Sequence, residues 1–391
     1  MRPDKGTRVA ILVPTKDRSE FVERLLKYYA SVKSPHTLYI GDASQGFHLK
    51  QTKEAIARFS EHVSTVHFSW TDLSAHATLA RLAEEASEAY CAHLGDDDFL
   101  VPESLTKCAE FLDSHPDYRT AQGKALLFVL EESGPYGKID GHGGVYWDRK
   151  ESHWATARER MFQFAGGGYW VLQFSVHRRK EFIADSSIAR ASEDRGFSEL
   201  INNFVFIGRG KSKFIDCLYL FRQTHETRYL LPTSYDWITG EKWNKSFQEM
   251  SAALEDVLVE VDGLRRDEAR AVARDIVLIL LKRSIRPATP CAEKAVLSTI
   301  AERRQILLRW MRTVPVIKNS YRYLEGVLGP LTARFGRLTA PALSHSTSPY
   351  HKEFMPVFRL LTSIPEEKMA IAESGVIPDE KQRPPVGPPM R

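Results

Sequence analysis

Apolar and polar positions alternate between two periods over the first 115 residues. Arg8–Val13 (RVAILV) is a short apolar, β-branched run closed by Pro14, the pattern of a strand buried on both faces. Asp17, three residues before Glu20, predicts a helix start, and Phe21, Val22, Leu25, Leu26 and Tyr29 follow at helical spacing. His36–Ile40 predicts a second strand that ends at Gly41-Asp42, and a polar helix over Lys50–His62 leads to a third strand, Thr65–Phe68. Leu73–Ser87 reads as a helix with Leu79, Leu82, Ala83 and Ala86 on one face. Tyr90–Leu94 is a fourth strand running into Gly95-Asp96-Asp97-Asp98, after which Pro102 opens a helix at its favoured first position.

This alternation predicts an α/β fold with a mostly parallel sheet covered by helices. Ligands of such sheets bind beyond the carboxyl ends of the strands. Three polar groups fall there: Thr15-Lys16-Asp17, Asp42-Ala43-Ser44 and Asp96-Asp97-Asp98. Residues 120–230 are less regular, with strands expected at Leu126–Glu131, Phe174–His177 and Phe214–Phe221 and a helix at Phe197–Ile207. From about Thr239 the pattern becomes long helices (Ser246–Val261, Arg266–Arg283, Ala292–Arg312), and the last fifty residues are rich in Pro and Ser. The expected division is therefore an α/β domain over 1–238, a helical domain over 239–340 and an irregular tail over 341–391.

Composition narrows the function classes. With 391 residues, 43% hydrophobic and 27% charged, the chain has ordinary globular composition, and a net charge of +4 is too mild to indicate a nucleic-acid binder. Four dispersed cysteines without a C-x-x-C pair argue against structural zinc or a disulfide scaffold and suggest a reducing, cytoplasmic compartment. The polar start MRPDKGTRV carries no secretory pattern, and the run Ile276–Leu281 is too short to cross a bilayer.

Three successive aspartates after a buried strand repel one another unless a cation or hydrogen bonds compensate. Mg2+ or Mn2+ is the natural cation, since such ions take one or two carboxylates and fill the remaining positions with water and phosphate oxygens. The plainer reading is an acidic turn at the start of the Pro102 helix.

VAILVPTKDR, Asp42-Ala43-Ser44, Ala80-Arg81 and above all HLGDDDFLVPESL together resemble family 2 glycosyltransferases of the GT-A fold, over roughly residues 7–228. The resemblance implies a nucleotide-sugar donor held by Pro14, Thr15, Asp17, Asp42, Arg81, Asp96 and Asp97, with Thr15 and Asp42 at the base and Asp96 at the ribose. It implies a metal site drawn from Asp96, Asp98 and His225, and which aspartates serve depends on whether Gly95 takes the family's first acidic position. Phe197-Ser198-Glu199-Leu200 is similar to the family's Phe-Gly-Glu-Asp segment, which makes Glu199 the expected catalytic base; the Glu193-Asp194 pair is its rival. Tyr169 and Trp170, beside Gly166-Gly167-Gly168, are a candidate acceptor platform or a core aromatic pair.

Residues 301–340 hold eight Lys or Arg against two Glu, a net +6 in a chain of +4, interleaved with Ile306, Leu307, Leu308, Trp310 and Tyr321. Such a segment suits peripheral contact with an anionic membrane face, an anionic acceptor or a partner helix. The expectation is a metal-dependent, inverting glycosyltransferase acting on a glycan or lipid-linked acceptor. The rivals are a nucleotidyltransferase, which would want a Gly-rich phosphate loop where KDR stands, and a non-catalytic nucleotide-binding or scaffold protein.

Overall fold

The computed structural model describes residues 7–131, 134–167, 169–189, 194–225, 238–284 and 332–363. The expected alternation is present. Strands Val9–Thr15 (β1), Thr37–Asp42 (β2), Thr65–Ser69 (β3) and Tyr90–His93 (β4) alternate with helices Ser19–Ser31 (α1), Gly46–Phe59 (α2) and Ala75–Glu85 (α3). Residues Val9–Val13 have no exposed surface, which accounts for their unbroken apolar run. Helix α3 rests directly on β2: a Cβ at Gly41 would lie 2.3 Å from Thr78 Cγ2, so only glycine permits that approach.

The further elements are Phe99–Leu100 (β5), Pro102–Ser114 (α4), Tyr118–Leu130 (β6), Ile139–Trp147 (β7), Ala157–Gly167 (α5), Val176–Arg178 (β8), Arg179–Ala189 (α6), Arg195–Arg209 (α7) and Lys211–Gln223 (β9). The strand order is β3-β2-β1-β4-β8-β6-β9-β5, with β7 paired to β6. The expectation of a mostly parallel sheet holds for β3-β2-β1-β4 and for the β6–β9 pair. Beyond β4 the pairs β4–β8, β6–β8, β6–β7 and β5–β9 are antiparallel, so the sheet is mixed. The region that reads as irregular in sequence is this second half.

Helices Trp243–Asp262 (α8) and Arg266–Ser284 (α9) share one apolar core with the sheet, through Leu254, Val257, Leu258 and Ile276. The Asp262 carboxylate accepts the Ala157 and Arg158 N–H groups at 2.7 and 2.8 Å, satisfying orphan donors at the start of α5. The stretch expected to be irregular from 341 holds two helices, Ala340–Leu343 (α10) and His351–Thr362 (α11). Helix α11 places Phe354, Val357 and Leu361 inward at helical spacing, and Glu353 accepts the Leu218 N–H of β9 at 3.0 Å. The expected helix Ala292–Arg312 and most of the basic segment lie outside the described residues. No helix among the described residues is long and apolar enough to cross a membrane.

Candidate active site

Strand register brings the three polar strand ends together. In the β1–β2 ladder Thr15 pairs with Asp42. In the β1–β4 ladder Leu12 pairs with His93, so the chain three residues on places Asp96 level with Thr15. The Thr15 hydroxyl donates to Asp96 Oδ2 at 2.6 Å. Pro14, half-buried, lies opposite Gly41 in the β1–β2 ladder. Asp42 is fully buried and accepts the Ser44 N–H at 2.8 Å, with His67 Nε2 3.4 Å away. Burial pushes its carboxyl up, but the hydrogen bonds from His67 and Ser44 outweigh this and hold it below the ordinary value. Asp17 sits in the left-handed region at φ 54°, and its N–H donates to Ser44 Oγ at 2.7 Å. That contact ties the β1 turn to the β2 turn and offsets the strain of a non-glycine residue there.

Each aspartate of the triple meets a guanidinium, and Arg18 serves two of them. Arg18 Nη1 lies 2.8 Å from Asp96 Oδ1, and its Nη2 lies 3.1 Å from Asp97 Oδ2. Antiparallel pairing of β5 with β9 sets Phe99 opposite Phe221, which delivers Arg222 and Gln223 to Asp98. Arg222 Nε and the Gln223 N–H each donate to Asp98 at 3.0 Å. Arg24 is buried between the rings of Phe21 and Phe99 and donates to the Asp97 carbonyl at 2.7 Å and to Gln223 Oε1 at 2.6 Å. Burial lowers its pKa to about 10, against the field of Asp97.

The three carboxyls diverge. Burial, then the Asp97 charge, raises Asp96; burial also raises Asp98, with Arg222 opposing. Asp97 is also raised by burial, but the hydrogen bond with His225 and the Arg18 charge more than reverse this and hold it below the usual range.

His225 Nε2 stands 2.7 Å from Asp97 Oδ2 and 3.0 Å from Arg18 Nη2, and its ring stacks on Phe21. Asp96 and Asp98, expected as metal ligands, are thus turned to Thr15 and Arg18, and to Arg222 and Gln223. Asp97, expected at the donor and, in one alignment, at the metal, is the carboxylate beside His225. Two adjacent ligands about 2.1 Å from one cation stand about 3 Å apart, and imidazole with carboxylate suits Mn2+. The Asp97–His225 spacing fits that donor set. Among the described residues no group of three His, Cys, Asp or Glu side chains converges on a metal position, so water and phosphate oxygens would complete the shell.

Glu199 lies in the first turns of α7. Asp194 caps that helix, its Oδ1 accepting the Gly196 and Phe197 N–H groups at 2.8 and 3.1 Å, which gives this rival carboxylate a structural task. Glu193 lies outside the described residues. The Tyr169 hydroxyl donates to Glu199 Oε1 at 3.1 Å, and Asn203 Nδ2 donates to the Tyr169 oxygen at 2.6 Å and to the Glu199 carbonyl at 2.7 Å. Burial and the Glu199 charge raise the Tyr169 phenol. Tyr146 bonds to Arg222 and lies within the field of Glu199. Arg222 Nη1 donates to the Tyr146 hydroxyl at 2.9 Å, and the Tyr146 phenol is raised by burial and, against Arg222, by the Glu199 charge.

Two expected residues stand elsewhere. Arg81 is exposed on α3, and its guanidinium pairs with Glu85 at 2.9 Å on its own helix. Trp170 is buried and meets Phe164 edge-on, so it belongs to the core; Tyr169 serves Glu199 through its hydroxyl. Arg18, Arg24, Arg222, Tyr146, Asn203 and His67 were not singled out by sequence. Arg24 had a signal, since it interrupts the apolar face Phe21–Leu25–Tyr28 of α1. Asn203 had one too, standing one helical turn after Glu199.

No protein-family model matches the chain, and no curated protein matches it. Among solved structures, the chain is similar to S. aureus TarS 1-349 at 11% identity over 95% of this chain and 93% of that one, TM-score 0.45. It is similar to TarS 1-349 in complex with UDP-GlcNAc at 11% identity over 94% and 92%, TM-score 0.48. It is also similar to S. aureus TarS at 13% identity over 90% of this chain and 54% of that one, TM-score 0.46.

Proposed function

We propose that this chain is a glycosyltransferase that moves a sugar from a nucleoside diphosphate sugar to a carbohydrate hydroxyl, with inversion at the anomeric carbon. One observation carries the reading. Level strand ends gather Thr15, Asp42 and Asp96 on one sheet edge, and the β5–β9 pairing adds Arg222 and His225 there. Such an edge suits a nucleotide, and Glu199 is the base this reading assigns.

In this reading Thr15, Asp42 and Asp96 hold the nucleoside, and Arg18 and Arg222 meet the diphosphate charge. Asp97 and His225 would hold a divalent cation, which supplies neutralisation of the charge that builds on the leaving diphosphate. Tyr169 and Asn203 fix the Glu199 side chain by hydrogen bonds. The Glu199 carboxylate takes the proton of the acceptor hydroxyl as its oxygen bonds to the anomeric carbon. The bond from that carbon to the phosphate oxygen breaks, its electron pair leaving with the diphosphate.

Thermal stability with a panel of nucleoside diphosphates and nucleotide sugars, including UDP and UDP-GlcNAc, tests the donor class. A bound donor raises the midpoint by mass action. A shift with one nucleotide, reduced by chelator and lost in Asp97→Asn, is the expected result. No shift with any member of the panel would overturn the reading. Product stereochemistry by NMR tests the single displacement, and retention would sink it.

A further inference from the structure

The surroundings of His225 Nε2 hold a conflict. The nitrogen lies 2.7 Å from a carboxylate oxygen of Asp97 and 3.0 Å from a guanidinium nitrogen of Arg18. An Nε2–H donates to Asp97 but then confronts an Arg18 N–H. An Nε2 lone pair accepts from Arg18 but then faces the Asp97 lone pairs. One ring nitrogen cannot satisfy both neighbours at once. Arg18 Nη2 is meanwhile 3.1 Å from the same Asp97 oxygen, so a positive group bridges the two candidate ligands. The Phe21 ring steadies that arrangement, with the Arg18 guanidinium 4.4 Å from its centroid and His225 stacked at 5.7 Å.

We infer that Arg18 is a resident stand-in for the divalent cation, bridging Asp97 and His225 until a metal ion displaces it. The inference rests on the metal-assisted reading above and adds the order of events at that site. With the ion in place, Nε2 and the Asp97 oxygen both act as ligands, and the conflict at the ring nitrogen ends. The displaced guanidinium becomes available to the diphosphate. Arg18 thus competes with the metal first and assists the donor afterwards, so the empty site keeps Asp97 compensated while still admitting a metal with its donor.

The test uses Mn2+ alone on the full chain, with free ion followed by electron paramagnetic resonance. Removing the resident positive charge strengthens the pull of Asp96 and Asp97 on a cation. Arg18→Ala and the polar, uncharged Arg18→Gln should each bind Mn2+ at least about tenfold more tightly than the natural protein. Adding Asp97→Asn to either background should abolish that binding. Mn2+ bound by both Arg18 variants no more tightly than by the natural protein would overturn the stand-in role and leave the metal reading intact. No binding by any of the three proteins would overturn the metal reading and the stand-in with it. Two different replacements keep the result independent of any folding defect in one of them.

Discussion

Acidification should act on the buried imidazoles His36 and His177, and a variant of His36 isolates the first of them. His36 is fully buried; the Val9 N–H donates to its Nδ1 at 3.1 Å, and its Nε2 lies 2.9 Å from the Pro102 carbonyl. This pairing fixes the neutral ring with the proton on Nε2, and it joins the start of β1 to the start of α4. Burial lowers the pKa from 6.5 to about 4. In the unfolded chain the ring takes up a proton below pH 6.5, whereas in the folded chain it stays neutral down to about 4. Its contribution to stability is therefore complete above 6.5 and shrinks as pH falls through that window. The loss is roughly 1 kcal/mol between pH 7 and 5.5 and about 2 kcal/mol by pH 5. Asp96 and Asp98, whose folded values are raised, pull the opposite way over the same range, since they bind protons better when folded. Comparison with His36→Gln cancels them, because both proteins carry the same aspartates. Gln can still accept from Val9 and donate to Pro102 but does not titrate. Urea unfolding of both proteins at pH 7, 6, 5.5 and 5 measures the effect. The natural protein should lose ground to the variant by the amounts given, and a stability gap that stays constant with pH would refute the reasoning.

Other expectations follow from the same contacts. Glu199→Gln should lower the rate of sugar transfer by roughly 10² to 10⁴, the range of a lost general base, while the nucleotide-induced thermal shift is retained; equal activity would remove Glu199 from the mechanism. Tyr169→Phe deletes the hydroxyl between Asn203 and Glu199, and kcat should fall by roughly tenfold with the donor KM unchanged, about the worth of one hydrogen bond to a charged group. Gly123→Ala would put a Cβ 2.6 Å from the Cys217 carbonyl oxygen, where β6 and β9 meet, so denaturant unfolding should show a loss of roughly 1–3 kcal/mol. Asp42→Asn should weaken nucleotide binding at neutral pH while leaving Mn2+ binding in the Arg18→Ala background unchanged, because Asp42 sits with Ser44 and His67 rather than with His225.

The hydrophobic periods by themselves determined the first half of the fold. RVAILV reads as a doubly buried strand, and the alternation that follows predicts a parallel sheet with the polar strand ends on one edge. Thr15, Asp42 and Asp96 were therefore readable as one group, whereas Glu199 was singled out through the resemblance of Phe197-Ser198-Glu199-Leu200 to a family 2 segment. In the second half β6, β8, β9 and α7 were located in part, but their full lengths and pairing escaped, because the strands are long, bulged and partly antiparallel and their side chains do not form one continuous apolar signal. Only tertiary pairing decided that Arg222 and His225 reach Asp98 and Asp97 across more than 120 residues of chain. The same holds for the counter-ions. A triple of acids announces that positive charge is needed, but the source of that charge depends on which long side chains the packing of α1 and β9 leaves within reach. Sequence thus supplied the demand for compensation through local Coulomb repulsion, and the folded chain alone decided that Arg18, Arg24 and Arg222 meet it.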